Sequence, residues 1–215
     1  MNTSLSNRLN PAEIVYVVDD DEAVRDSLTW LLESNGYTVR CHISAERFLQ
    51  SLQSTDKKTI SCAILDVRMP GMSGLELQER LLAENLPMPV AFITGHGDVS
   101  MAVSTMKRGA VDFVEKPFKE NDLCALVERM LTKARVDYSS ANQRQITQGL
   151  LSKLTGRERQ VLERIVAGRL NKQIADDLGI SIKTVEAHRA NIMEKLNVNT
   201  VADLLRLALT DPQLT

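Results

Sequence analysis

The sequence predicts an α/β domain built on a doubly wound, five-stranded parallel sheet, followed by a small all-α domain. Three observations carry this. Across residues 13–130, five short apolar segments alternate with helical hydrophobic periods, as strands buried on both faces do when helices cross between them. Across residues 150–210 the periodicity is helical throughout. The charge divides in the same place: residues 1–133 carry 14 Lys and Arg against 19 Asp and Glu, and residues 150–209 carry 10 against 7, within a net charge of −2 for the chain. An acidic front and a mildly basic back suggest two domains with different partners. Residues 131–149 lack apolar periodicity and include Ser139-Ser140-Ala141-Asn142-Gln143; they read as a linker that can begin as an extension of the preceding helix.

Each element has its own signal. Ile14–Val18 is apolar and rich in β-branched residues, and it ends in Asp19-Asp20-Asp21. Val24, Leu28, Leu31 and Leu32 mark the first helix, stopped by Asn35-Gly36. Thr38–Ile43 and Ala45–Leu52 are the second strand and helix, and 54–58 is a polar loop. Cys62–Leu65 is the third strand, again ending in an acid, Asp66; Leu75, Leu77, Leu81 and Leu82 mark the third helix. Val90–Ile93 ends in Thr94-Gly95, a fourth helix contains Met101–Met106, Val111–Val114 is the fifth strand, and Asp122–Leu131 lies in the fifth helix. In the back half, Thr155 and Glu158 form a capping-box pattern, Asn171 can cap a short helix through Leu178, and Ser181 can cap another to about Leu196. A last helix runs from Val201 to Leu209.

In open parallel sheets the site lies beyond the carboxyl ends of the strands. Those ends carry Asp19, Asp20, Asp66, Thr94 and Lys116. Singly, an acid at a strand end is usually a helix cap, the role expected of Asp21 or Glu22, Phe113 a core residue and Lys116 a surface lysine; together they gather on one edge. Converging carboxylates repel unless a cation sits among them, and an all-oxygen donor set beside a phosphate suits Mg²⁺. A carboxylate can attack phosphorus to give an acyl phosphate, with Lys116 supplying charge and Thr94 a hydroxyl to the transferred group.

The segments Val17–Asp21, Leu65–Gly74, Ile93–Asp98 and Phe113–Phe118 resemble, in order, the receiver domain of two-component response regulators, a flavodoxin-like fold. The resemblance implies that Asp66 is the phosphoacceptor, phosphorylated by a sensor histidine kinase. It further implies that Asp19, Asp20, Asp66 and the backbone carbonyl of Arg68 hold Mg²⁺, that Thr94 and Lys116 bind the phosphoryl group, that Phe113 is the switch aromatic, and that the Lys116–Pro117 bond is cis.

Residues 171–185 place two short helices around Gly179, with Ala175, Leu178, Ile180 and Val185 facing the corner, the spacing of a helix-turn-helix. The second helix would expose Lys183, Thr184, Glu186, Ala187, His188, Arg189 and Ala190; Arg189 reaches a guanine edge or a phosphate, and Lys172 and Lys183 suit phosphates. Residues 154–209 resemble the LuxR-type helix-turn-helix, and together with Thr94-Gly95-His96-Gly97-Asp98 they are similar to the FixJ branch of the FixJ/NarL family. Some relatives in the NarL branch carry lysine where Glu186 and Ala190 stand, so the DNA face here is less basic.

The function implied is a phosphorylation-gated transcription factor with domains at 13–130 and 150–210, which dimerises on phosphorylation, binds double-stranded promoter DNA, works with RNA polymerase and activates transcription. It is not an enzyme apart from self-phosphorylation and autodephosphorylation. The alternatives are an adaptor whose helical domain binds protein or RNA, or an aspartyl-phosphate phosphatase; Asp66-Val67-Arg68 lacks the second acid of an Asp-x-Asp signature. No Walker-type phosphate loop is present, which argues against an ATPase-driven activator. The polar start of the chain and the lack of a span-length apolar run lead to the expectation of a cytoplasmic protein without membrane contact. Cys41, Cys62 and Cys124 show no zinc pattern and are expected as buried free thiols.

Overall fold

The computed structural model describes residues 11–54, 59–86, 88–95 and 109–209, and the chain divides between Tyr138 and Ser139 into two compact units. In the first unit the strands are β1 (Glu13–Val18), β2 (Val39–His42), β3 (Ile60–Asp66), β4 (Val90–Thr94) and β5 (Asp112–Glu115). All pair in parallel, in the order β2-β1-β3-β4-β5. The doubly wound sheet expected from the alternation is therefore present. The helices are α1 (Glu22–Ser34), α2 (Ala45–Gln53) and α3 (Gly74–Ala83); α4 (Glu120–Leu151) begins in the first unit and continues past the boundary. The helix expected over Met101–Met106 lies outside the described residues.

Both sheet faces are covered, as wholly apolar strands require. Val15, Val17, Cys62, Ile64 and Ile93 pack against Leu28 and Leu32 of α1 and Leu126, Val127 and Met130 of α4. Their neighbours Tyr16, Val18, Ala63, Leu65 and Phe92 turn to the opposite face, against Phe48 of α2 and Leu77 and Leu81 of α3. Of the three cysteines only Cys62 is buried, with its thiol pushed up to about 12 by burial. Cys41 is exposed beside the Thr29 hydroxyl, Cys124 is half-buried and all three are free, so the expectation of buried thiols is corrected for two of them.

Residues 131–149, read as a linker, are helical along their whole length. From Ala134 to Gln148 there is neither Gly nor Pro to stop the helix. Leu131 and Ala134 are still buried, Lys133 pairs with Asp137 one turn on, and Arg135 binds both Glu13 oxygens at 2.8 Å and Glu128 at 2.7 Å. That contact holds the Glu13 carboxyl below its ordinary pKa.

The second unit packs α5 (Gly156–Val166), α6 (Asn171–Leu178), α7 (Ile182–Leu196) and α8 (Val201–Ala208) around Val161, Leu162, Ile174, Val185, Ile192 and Leu204. Thr155 and Ser181 cap α5 and α7 as the pattern predicts. Asn171 does not cap α6: it is the first helical residue, and Leu170 takes the N-cap position with its N–H donating to Gln173 Oε1 at 2.9 Å.

Glu158 is 3% exposed, yet its carboxylate accepts from the Thr155 N–H at 2.7 Å and from Lys195 Nζ at 2.7 and 2.8 Å. Lys195, with the Thr155 amide, brings its pKa down to about 2. A depressed carboxylate stabilises the fold above its unfolded pKa of about 4.3, and that contribution is lost as pH falls toward the folded value. Lys195→Ala should therefore lower the melting temperature of the second unit at pH 7, and its difference from wild type should shrink between pH about 4.3 and about 2. Calorimetry of both proteins across that window checks this. Among the described residues, no helix is long and apolar enough to cross a membrane.

Candidate phosphoryl-acceptor edge and helix-turn-helix

Strand register builds the first site. Val18 pairs with Leu65, Asp66 with Ile93 and Thr94 with Glu115, so Asp19, Asp66, Thr94 and Lys116 follow one another along the carboxyl edge of β1, β3, β4 and β5. This edge includes the point between β1 and β3 where the winding direction changes.

The three consecutive acids separate by role. Asp21 caps α1, its Oδ1 accepting from Ala23 N at 2.9 Å. Asp20 is exposed, whereas Asp19 is 3% exposed and accepts from Asp21 N at 2.9 Å and Lys116 Nζ at 3.0 Å. Lys116 also lies 3.6 Å from Asp66 Oδ1, and the Arg68 N–H donates to Asp66 Oδ2 at 2.7 Å. The two Asp66 oxygens thus differ: one is tied to the loop and the other faces the ammonium.

Burial pushes the Asp66 carboxyl above its ordinary pKa, and Asp19 and Asp20 add to the shift; the Arg68 amide and Lys116 oppose it. A cation is electrostatically welcome here, and the oxygen donors suit a hard ion. Among the described residues no three His, Cys, Asp or Glu side chains are already gathered as a metal cage, so the fit to Mg²⁺ lies in donor chemistry and charge.

Thr94 is buried at the end of β4, and its carbonyl accepts from Lys116 N at 2.8 Å. The Lys116–Pro117 bond is cis. Phe113, opposite Phe92 in the sheet, is partly buried against the α2–α3 side of the core.

Three contributors escaped the sequence reading. Arg25, from the first turns of α1, donates to the Asp19 carbonyl at 2.8 Å. Glu46 of α2 accepts from Met72 N at 3.2 Å. At Gly74 a Cβ would stand 2.1 Å from the Asp66 carbonyl oxygen, so only glycine lets α3 start that close to β3. The Arg25 contact spans six residues across the strand–helix junction without a capping pattern to mark it, the Glu46 contact joins residues 26 apart, and Gly74 follows a Ser cap, which marks a helix start and nothing more.

In the second unit, Ala175 and Val185 are buried at the corner, Leu178 and Ile180 pack against it, and Gly179 turns with φ 65°. Lys172, Lys183, Thr184, Glu186, Ala187 and Ala190 are exposed; His188 and Arg189 are half-buried. The Thr184 hydroxyl lies 2.8 Å from that of Ser181, in the cap of α7.

The family model described as "Response regulator receiver domain" matches residues 15–128, and "Bacterial regulatory proteins, luxR family" matches 152–208. The chain is 44% identical over 195 residues to the transcriptional regulatory protein FixJ of Bradyrhizobium diazoefficiens, covering 91% of this chain and 94% of that one. It is 42% identical over 205 residues to the response regulator protein TodT of Pseudomonas putida, covering 95% and 89%. Among solved structures, response regulator StyR matches with a TM-score of 0.81 at 44% identity, over 93% of this chain and all of that one. Full-length FixJ from B. japonicum matches with a TM-score of 0.56 at 42% identity, over 94% and 98%.

Proposed function

This chain belongs to the response regulators that join a receiver domain to a LuxR-type DNA-binding domain and is a transcription regulator; from that premise we propose that phosphoryl transfer to Asp66 gates its binding to promoter DNA. The observation that carries this reading is the asymmetric environment of Asp66, with Oδ2 held by the Arg68 amide and Oδ1 turned toward Lys116. Oδ1 attacks phosphorus on a phosphohistidine of the sensor kinase. The O–P bond forms, the P–N bond breaks and its electron pair returns to the imidazole. Lys116 and Thr94 meet the charge on the transferred oxygens. Asp19, Asp20, Asp66 and the Arg68 carbonyl would hold Mg²⁺, which when bound neutralises phosphoryl charge. Hydrolysis of the acyl phosphate returns the resting state, and the chain needs no other chemistry.

The acyl phosphate draws Thr94 toward it and Phe113 inward. Phosphorylated copies then pair through β5 and the segment carrying Met101, Val103, Met106, Lys107 and Arg108, which lies outside the described residues. Pairing places two helix-turn-helix units on two half-sites, the second at high effective concentration. Recruitment of RNA polymerase and activation, in the cytoplasm, complete the reading.

Labelling with acetyl phosphate and Mg²⁺ tests the site. Wild type should form an acyl phosphate, lost on chelation, and Asp66→Asn should form none; equal labelling of both would remove Asp66 from the account. Because the folded-state pKa is raised, the ionised carboxylate works against folding at neutral pH, so Asp66→Asn should also melt higher than wild type at pH 7.

On DNA, α7 is the reading helix, with Lys172 and Lys183 on phosphates and Thr184, Glu186, Ala187, His188 and Arg189 along its face. Arg189→Ala should weaken operator binding by about 1–3 kcal/mol with relaxed sequence preference. Anisotropy titrations on operator and scrambled duplexes distinguish this from a phosphate contact, which would weaken both alike.

A further inference from the structure

The loop Val67–Ser73 joins the candidate phosphoacceptor to α3. It is pinned near its start by the Arg68 amide on Asp66 and by buried Val67 and Met69. At its end Gly74 N donates to the Val67 carbonyl at 3.2 Å, and Ser73 caps α3 in a reciprocal box with Glu76. Its middle is reached by a side chain distant in sequence. Glu46, on the first turn of α2, presents Oε1 to the Met72 N–H at 3.2 Å. Gly71 makes room for it: its φ is +78°, and a Cβ there would come 3.1 Å from the same Oε1. The Ser44 hydroxyl, Glu46's own amide and the Met72 amide keep the carboxyl below its ordinary pKa, so it is anionic at neutral pH.

We infer that Glu46 is a positioning residue for phosphoryl transfer: by holding the Met72 amide it sets the register of the loop, and with it the Arg68 peptide unit on Asp66. The inference rests on Asp66 being the phosphoacceptor. Glu46 touches neither Asp66 nor the incoming group and acts only through the loop. A carboxylate accepting a backbone N–H makes a charge-assisted bond, and here it crosses from α2 to a segment that has no regular secondary structure. Partners that orient a ligating or reacting group directly contribute about ten- to a hundredfold to metal affinity or activity; Glu46 stands one step further out, through the Met72 amide, so the lower end of that range is expected.

The test compares full-length wild type, Glu46→Ala and Glu46→Gln, the last keeping an acceptor oxygen where Oε1 stands. Two readouts are needed: the rate of labelling by acetyl phosphate with Mg²⁺, and the amide resonances of Arg68 and Met72 in metal-free protein. Glu46→Ala should label about tenfold more slowly, with Met72 losing hydrogen-exchange protection and the Arg68 resonance moving. Glu46→Gln should restore most of the rate and both resonances. An alanine variant that labels at the wild-type rate would overturn the inference. So would equal impairment of both variants with an unmoved Arg68 resonance, which would assign the effect to charge or stability. Failure of the underlying reading looks different: wild-type protein would then take no label at Asp66.

Discussion

Lys116→Ala is expected to slow phosphorylation of Asp66 by about a hundred- to a thousandfold. The ammonium lies 3.0 Å from Asp19 Oδ2 and 3.6 Å from Asp66 Oδ1, where the phosphoryl oxygens would arrive. The acceptor must take on a group carrying more negative charge, in a place where burial already penalises its own charge. Without Lys116 the Asp66 pKa rises further and the arriving oxygens lose their fixed cation. Asp19, 3% exposed, is left with the Asp21 amide alone among the hydrogen bonds described to its carboxylate, so the first unit should also lose about 1–3 kcal/mol. Lys116→Arg keeps the charge but not the compact donor, and should recover stability better than rate. Acyl-phosphate time courses and urea titrations separate the two effects; labelling of Lys116→Ala at the wild-type rate would contradict the role given to the ammonium.

Gly74→Ala is expected to destabilise the first unit by about 3 kcal/mol, the upper range for inserting atoms into a packed interior. The added Cβ would meet the Asp66 carbonyl oxygen at 2.1 Å, its carbonyl carbon at 3.1 Å and the Phe92 ring at 3.3 Å. Two of these are backbone atoms of β3, which pairs with β1 and β4 and cannot swing aside as a side chain would. Relief must come from moving the start of α3, which pulls on Ser73 and the loop that holds Asp66. Phosphorylation should therefore fall even at temperatures where the variant remains folded. The transition of the second unit, a separate compact body, should stay in place. A calorimetric scan showing both transitions unmoved would mean that α3 tolerates displacement.

The residues that build the fold and the candidate site were unequally visible in the sequence. The strands were legible because burial on both faces forces continuous apolar runs such as Ile14–Val18 and Cys62–Leu65, and the acids that close them stand out by contrast. Thr155 and Ser181 were legible because capping is local chemistry. The helical course of residues 131–149 was legible only at its start, as an extension of the preceding helix: an exposed helix needs no apolar stripe, and its supports include the ion pair Lys133–Asp137 and the distant Arg135–Glu13 contact. Leu170 at an N-cap was likewise invisible, because its side chain takes no part: its main-chain N–H donates to the Gln173 side-chain oxygen. In the candidate site, the side chains at the strand ends could be picked out one by one. Within Asp19-Asp20-Asp21 the cap role was legible as belonging to Asp21 or Glu22, and Asp21 takes it, but the contact of Asp19 with Lys116 was not, because it joins strand ends far apart in sequence. Arg25, Glu46 and Gly74 act through contacts that exist only after folding.

On the proposed function, one covalent event at Asp66 controls occupancy of DNA. The most direct measurement is fluorescence anisotropy of a promoter duplex recovered from genomic DNA by binding selection. It is titrated with wild type and with Asp66→Asn, each with and without acetyl phosphate and Mg²⁺. Wild type should bind at least about tenfold more tightly with the phosphodonor, as paired half-site engagement allows, and Asp66→Asn should bind equally with and without it. Wild-type affinity indifferent to the phosphodonor, or the same tightening in Asp66→Asn, would contradict the account.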